Sequence, residues 1–380
     1  MIYLDNGATT FPKPISVITA VNRAMREYGA NPGRSGHDMS VKASEKIYKC
    51  REKIAKLFHT DNPEKIIFTS NCTTALNTVI HGILREGDHV IISSLEHNSV
   101  LRPLEELSKK GITYSVAEVV ACDDEATINN FRNSIKSNTK LVVCTHASNV
   151  FGIKLPVEKI GALCRIYGIL FCVDAAQTAG TVNIDLSNSY IDFLCTSGHK
   201  GLYGPMGTGL LVINSDTLPD TLIQGGTGSM SLEKQQPHIL PDMYESGTPN
   251  LIGIVGLSEG VDFVLKQKPE HLYKNEMNMV IYAYDKLKNL NNVILYTERP
   301  DILHYVPVLS FNIKKLESEQ TAQILNNKYK IAVRAGYHCS PLAHKNMNTD
   351  KSGTVRIVIS AFTTPKDINY FINAVSSIKS

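Results

Sequence analysis

Five polar clusters carry residue types that could do chemistry: SNCTT at 70–74, LEHNS with His97, SNVFG with Asn149, VDAAQ with Asp174 and Gln177, and SGHKGLYGP with Ser197, His199 and Lys200. A lysine among glycine-rich turns has little structural work and can form a Schiff base with a carbonyl compound. An aspartate can pair with a pyridinium nitrogen, so that the ring takes up carbanion electrons. Thr73 and Thr74 at a helix start, with its free N–H groups and dipole, make an anion site. An imidazole such as His97 can lie against a ring face. Taken singly, His97 also reads as a surface or capping residue, and Asp174, Thr73 and Thr74 read as helix caps. Taken jointly, with Asp174-x-x-Gln177 and SGHK at this spacing, they are the parts of a pyridoxal 5'-phosphate site, in which Thr, Ser and His donors hold the phosphate.

A sixth stretch, RAGYHCSPLAHK at 334–345, sets Cys339 between His338 and His344. Three readings compete. A zinc site from His338, Cys339 and His344 is disfavoured, because adjacent ligands do not easily share one tetrahedral ion and no CxxC partner exists. A buried structural thiol fits poorly with a loop of Gly336, His338, Ser340 and Pro341. A nucleophile fits best, since Arg334 or a protonated His338 would favour the reactive thiolate. Which of the two acts stays open.

These clusters need a scaffold that brings them to one edge. From about residue 65, short apolar runs (KIIFTS, DHVIISS, ITYSVAEV, KLVVCTHA, ILFCVDA) alternate with segments of helical period. That pattern predicts βαβ units and a mostly parallel sheet, with FLCTS and GTGLLVIN bringing it to seven strands. Ligands of such sheets bind beyond the carboxyl ends of the strands, where the clusters lie. The fold expected is α/β: a large domain over 14–261 and a smaller α+β domain over 262–380, which the N-terminal segment 1–13 could join. A helix is expected from Asp124 to Lys136.

At 380 residues and a formal charge of +3, the composition gives no argument for nucleic acid or an anionic membrane. The opening MIYLDNGATTFPKP lacks a basic segment followed by an apolar run, so no signal peptide is expected. No apolar run approaches the roughly 20 residues of a membrane span. The eight cysteines mostly sit in apolar stretches, as core thiols of a reducing compartment do. A cytoplasmic enzyme is the expectation.

YLDNGATT, EHNS, HASNVFG, VDAAQ, SGHKGLYGP, ESGTPN and RAGYHC together resemble, in order and over nearly the whole length, the cysteine desulfurases. These belong to the class V aminotransferases, which are fold-type-I pyridoxal phosphate enzymes. The resemblance implies Lys200 as the lysine that carries the cofactor, Asp174 as the pyridinium partner and Gln177 as donor to the phenolic oxygen. It implies His97 stacked on the ring and moving protons, with Thr73, Thr74, Ser197 and His199 on the phosphate. Thr248 would reach the phosphate of a neighbouring subunit, which makes a homodimer. Asn149, at the cofactor, and Arg356 would hold the substrate carboxylate. Cys339 would accept sulfur from L-cysteine as a persulfide and pass it to an acceptor protein, as in iron–sulfur cluster assembly. L-Selenocysteine is the alternative substrate, and another class V reaction without a role for Cys339 is the second alternative. Ala75 stands where many relatives carry Glu, and Tyr337 where His is frequent.

Overall fold

The computed structural model describes residues 1–33 and 36–378. The chain begins with β1 (Ile2–Tyr3), α1 (Ile15–Glu27) and α2 (Asp38–Phe58). Then come β2 (Ile66–Thr69), α3 (Cys72–Ile83), β3 (His89–Ser93), α4 (Asn98–Ser108), β4 (Thr113–Ala117) and α5 (Asp124–Asn133). β5 (Thr139–Thr145), α6 (Val157–Tyr167), β6 (Leu170–Asp174), β7 (Phe193–Ser197), β8 (Gly209–Ile213) and α7 (Leu251–Gln267) follow. The strands β2 to β8 form one seven-stranded sheet in the order β2-β8-β7-β6-β5-β3-β4. Only β8 runs against its neighbours. Alternate side chains of each strand feed two cores: Ile91, Val142 and Leu194 join one, and Val90, Ile92 and Val143 the other. With both faces covered, the strands read as unbroken apolar runs.

The remaining elements are α8 (Pro269–Leu287), β9 (Val293–Leu295), β10 (Val308–Ile313), α9 (Ser318–Tyr329), β11 (Ile331–Ala332), β12 (Arg334–Gly336), α10 (Pro341–Asn346), β13 (Thr354–Val358) and α11 (Pro365–Ser376). An antiparallel sheet, β12-β13-β10-β9, packs on a third core that includes Phe311, Val355, Ile357 and Phe371. β1 pairs in parallel with β11, which ties the N-terminal segment to this C-terminal layer.

Residue 262 lies inside the unbroken helix α7; the chain turns at Lys268 (φ 64), just before Pro269 opens α8. α5 stops at Asn133 and not at Lys136, because the Lys136 amide turns to donate to Thr139 Oγ1 at 2.8 Å and starts β5. Among the described residues no helix is long and apolar enough to cross a membrane.

Candidate active site

The parallel register aligns the strand ends. Asp174, the last residue of β6, stands opposite Thr145 on β5 and Cys195 on β7. Its Oδ1 accepts from the Ala176 amide at 2.9 Å and from the Cys72 thiol at 3.4 Å. Behind it sits Glu96, wholly buried, whose Oε1 accepts from the Thr145 amide (2.8 Å) and the Ser93 hydroxyl. Burial pushes the Glu96 carboxyl up to about 8.

Lys200 follows β7 in a turn where backbones touch. A Cβ on Gly201 would lie 2.3 Å from the Ala179 carbonyl oxygen, and one on Gly260 of α7 would lie 2.2 Å from that of Leu202. Glycine is required at both close approaches, and together they clamp the lysine turn between α7 and the turn after β6. Among the described residues the Lys200 ammonium has no hydrogen-bond partner. Burial lowers its pKa; Asp174 and Cys72 oppose this, while Arg356 and Arg334 add to it.

Asn71 caps α3, its Oδ1 accepting from the Thr74 amide at 2.9 Å. Thr73 is exposed on the first turn, and the Thr74 hydroxyl lies 2.9 Å from that of Ser70. Thr248 lines a cavity of 290 Å³ together with Ser70 and Thr74 of the same chain. Ser197 is the buried last residue of β7. The His199 carbonyl anchors the N-terminal segment, accepting from the Thr10 amide and the Lys13 ammonium (2.8 Å). Its ring keeps Nδ1 buried and unpartnered, and burial beside Lys200 and Lys13 holds its pKa at about 4. Gln177 donates from Nε2 to the Gly7 carbonyl at 3.2 Å.

His97 is the N-cap of α4: its Nδ1 accepts from the Ser99 amide at 3.1 Å, so the ring proton sits on Nε2. Burial lowers its pKa, and Asp174 opposes the shift. Arg356 is fully buried. It donates from Nη1 to the Asn149 carbonyl (2.7 Å) and from Nη2 to Asp5 (3.0 Å), and its Nε has no partner.

Cys339 is exposed, which removes the buried-thiol reading. Its carbonyl accepts from the Asn98 amide at 2.7 Å, docking the loop on the start of α4 next to His97. Its Sγ lies 3.8 Å from Arg334 Nη2. His338 and Cys339 both take left-handed backbone angles (φ 49 and 58), a conformation costing about 1–3 kcal/mol for each non-glycine residue. His338 is not the cation beside the thiol. It is buried, donates from Nε2 to the Thr354 carbonyl at 3.0 Å, and burial drives its pKa to about 2. His344 is likewise engaged, its Nδ1 2.7 Å from the Thr349 hydroxyl. Among the described residues, the only trio of metal-ligand types brought together is Cys122, Asp301 and His304, outside this loop.

The sequence matches the family described as Aminotransferase class-V over residues 2–371. A probable cysteine desulfurase of Methanothermobacter thermautotrophicus is 32% identical over 375 residues, covering 97% of this chain and 92% of that protein. One of Pyrococcus abyssi is 33% identical over 389 residues, covering 100% of this chain and 94% of its own. The apo cysteine desulfurase of Thermococcus onnurineus superposes with a TM-score of 0.90 at 32% identity, over 99% of this chain and 94% of the other. The chain belongs to the class V aminotransferases, among the cysteine desulfurases.

Several residues of this class V aminotransferase site escape sequence reasoning. Asp5, Gly7 and Lys13 arrive from the far N-terminus. Gly7 has a signal in NGATT, since a Cβ there would lie 3.2 Å from the Arg356 guanidinium carbon. Cys72 lies within SNCTT without a role of its own until the fold aims its thiol at Asp174. Ser340 reads as a turn residue, yet its hydroxyl donates to Asn149 Oδ1 at 2.6 Å.

Proposed function

We propose that this chain is a pyridoxal 5'-phosphate-dependent cysteine desulfurase that converts L-cysteine to L-alanine and takes the sulfur onto Cys339 as a persulfide. The observation that carries this reading is the placement of Cys339. An exposed thiol stands beside Arg334, on a loop bonded to the helix start that His97 caps and, through Asn149, to Arg356.

The donor set fits the cofactor. Lys200 has a half-buried ammonium to carry it, Asp174 would face the ring nitrogen and Gln177 the phenolic oxygen. The open start of α3 with Thr73 and Thr74, Ser197 and the unpartnered His199 nitrogen would receive the phosphate. Bound there, it supplies an electron sink conjugated to the substrate Cα. The lowered pKa of Lys200 raises its share of neutral amine, the form that accepts the Cα proton. Arg356 and Asn149 would orient the substrate carboxylate. The Cys339 thiolate attacks the substrate sulfur: an S–S bond forms, the C–S bond breaks, and its electron pair stays on the carbon side. His97 and Lys200 return protons there, so that alanine leaves with an added hydrogen.

A homodimer is part of the proposal. Leu222 and Ile223, 45% and 59% exposed, line the same cavity as Thr248, and such apolar side chains are commonly covered by a partner. Thr248 would there serve the neighbouring subunit's phosphate. A sulfur-acceptor protein, a role in iron–sulfur cluster assembly and a cytoplasmic location belong to the same reading; eight free thiols support a reducing compartment. The division into a cofactor-binding part and a C-terminal part, joined by segment 1–13, is proposed at Lys268.

The test is to incubate cofactor-loaded protein with L-cysteine and map the persulfide by mass spectrometry. It is expected on Cys339 and absent from Cys339→Ser, whose cofactor absorbance stays intact. Normal sulfide and alanine output from Cys339→Ser would refute the reading.

A further inference from the structure

Two non-glycine residues in succession, His338 and Cys339, hold left-handed backbone angles, and such a pair persists only where its surroundings fix it. The Asn98 amide holds the Cys339 carbonyl and the His338 ring holds the Thr354 carbonyl, and one further side chain grips both flanks of the thiol. Asn149 donates from Nδ2 to the His338 carbonyl at 2.8 Å and accepts at Oδ1 from the Ser340 hydroxyl at 2.6 Å. Its amide therefore brackets Cys339, gripping the residue before it and the residue after it. Ser340 is wholly buried. The His338 carbonyl, which can only accept, determines which way the Asn149 amide points: turned over, the oxygen would face that carbonyl, acceptor against acceptor. The Asn149 backbone carbonyl in turn receives Arg356 Nη1 at 2.7 Å.

We infer that Ser340 is a positioning residue for sulfur transfer: through Asn149 it latches the left-handed His338–Cys339 pair and holds the thiol at the distance and angle from which it meets the bound substrate. Asn149 has a second Nδ2 hydrogen, so the latch can stay closed while the same residue takes part in substrate binding. The thiol loop and the carboxylate site are thereby joined through one residue. This inference rests on the reading of Cys339 as sulfur acceptor, but the latch itself can be tested without it.

Ser340→Ala, Ser340→Thr and Asn149→Asp are compared with the unaltered holoenzyme. Asn149→Asp keeps the acceptor for Ser340 and removes the donor to the His338 carbonyl. Hydrogen–deuterium exchange over 336–344 is expected to speed up about two- to tenfold in Ser340→Ala and Asn149→Asp, the range one lost hydrogen bond produces. A peptide containing Cys122, an exposed thiol outside the loop, serves as the control and is expected not to change. Ser340→Thr is expected to restore protection. In single-turnover reactions with L-cysteine, Ser340→Ala is expected to form the Cys339 persulfide about two- to tenfold more slowly. Alkylation of Cys339 by iodoacetamide, which needs no fixed geometry, is expected to stay within about twofold, the scatter of a lost weak contact. Unchanged exchange in both unlatching variants overturns the latch, as does faster exchange throughout the chain. Faster exchange with persulfide formation at the unaltered rate overturns the positioning role. No persulfide in the unaltered protein would refute the desulfurase reading, leaving the exchange result to decide the latch.

Discussion

Arg356 and Asp5, separated by 351 positions, meet at 3.0 Å, and the arginine side chain is 1% exposed. The pair closes the C-terminal layer over the N-terminal segment, with Gly7 against the guanidinium. Removing one partner of such a pair leaves a buried charge uncompensated. Asp5→Ala is therefore expected to cost about 3 kcal/mol in urea unfolding. Asp5→Asn, which keeps an acceptor for Nη2, is expected to cost less. Equal stability of Asp5→Ala and the unaltered protein would show that the Asn149 carbonyl alone holds the arginine.

His97 does two jobs that one substitution separates. As N-cap it accepts from the Ser99 amide, which asparagine also does. As the proposed proton carrier it needs the ring nitrogen Nε2, which asparagine lacks. His97→Asn is expected to unfold within about 0.5 kcal/mol of the unaltered protein. Alanine release from cysteine is expected to fall at least about 100-fold. A variant with both stability and turnover retained would take His97 out of proton transfer.

Arg334 is the cation in contact with the sulfur, at 3.8 Å. Its guanidinium donates a charge-assisted hydrogen bond to that sulfur. Arg334→Gln is expected to slow iodoacetamide alkylation of Cys339 at neutral pH about threefold or more, while Arg334→Lys keeps most of the rate. Mass spectrometry of the Cys122 peptide, whose thiol lies elsewhere on the surface, supplies the internal reference. Equal Cys339 rates in all three proteins would assign the arginine to substrate or loop structure only.

The strand-end residues were legible because a polar break after an apolar run marks the end of a parallel strand, and ligands gather there. Lys200, Asp174 and His97 were placed at or beyond strand ends that way. Asp5 and Ser340 were not, because their partners lie 351 and 191 positions away, and no local pattern records a contact closed by the whole fold. His338 misled for a related reason. Next to a cysteine it reads as a cation, but its charge is decided by burial against Thr354 and Arg356, which only the tertiary structure supplies.

The buried titratable groups set a pH optimum for stability. Four imidazoles, His89, His146, His199 and His338, are held at about 4, 3, 4 and 2, in each case chiefly by burial. Two carboxyls, Glu96 and Glu276, are held at about 8 by burial. Between about pH 4.5 and 6.5 the unfolded chain protonates the four imidazoles while the native state keeps two carboxyl protons, so the unfolded state binds more protons and stability rises with pH. Between about 6.5 and 8 the unfolded chain has shed both kinds while the native carboxyls retain theirs, so stability falls as pH rises. The optimum is expected near pH 6.5, with each proton worth about 1.4 kcal/mol per pH unit. Glu276 faces the Tyr203 hydroxyl at 3.5 Å and takes no part in the proposed chemistry, so Glu276→Gln isolates one carboxyl. Urea unfolding from pH 6.5 to 8 is expected to show a shallower fall than the unaltered protein, because Glu96 then titrates there without Glu276, and the Lys13 ammonium, lowered by burial to about 8, works in the opposite direction. An undiminished slope would mean that Glu276 already ionises in the native state, or that other groups govern the alkaline limb.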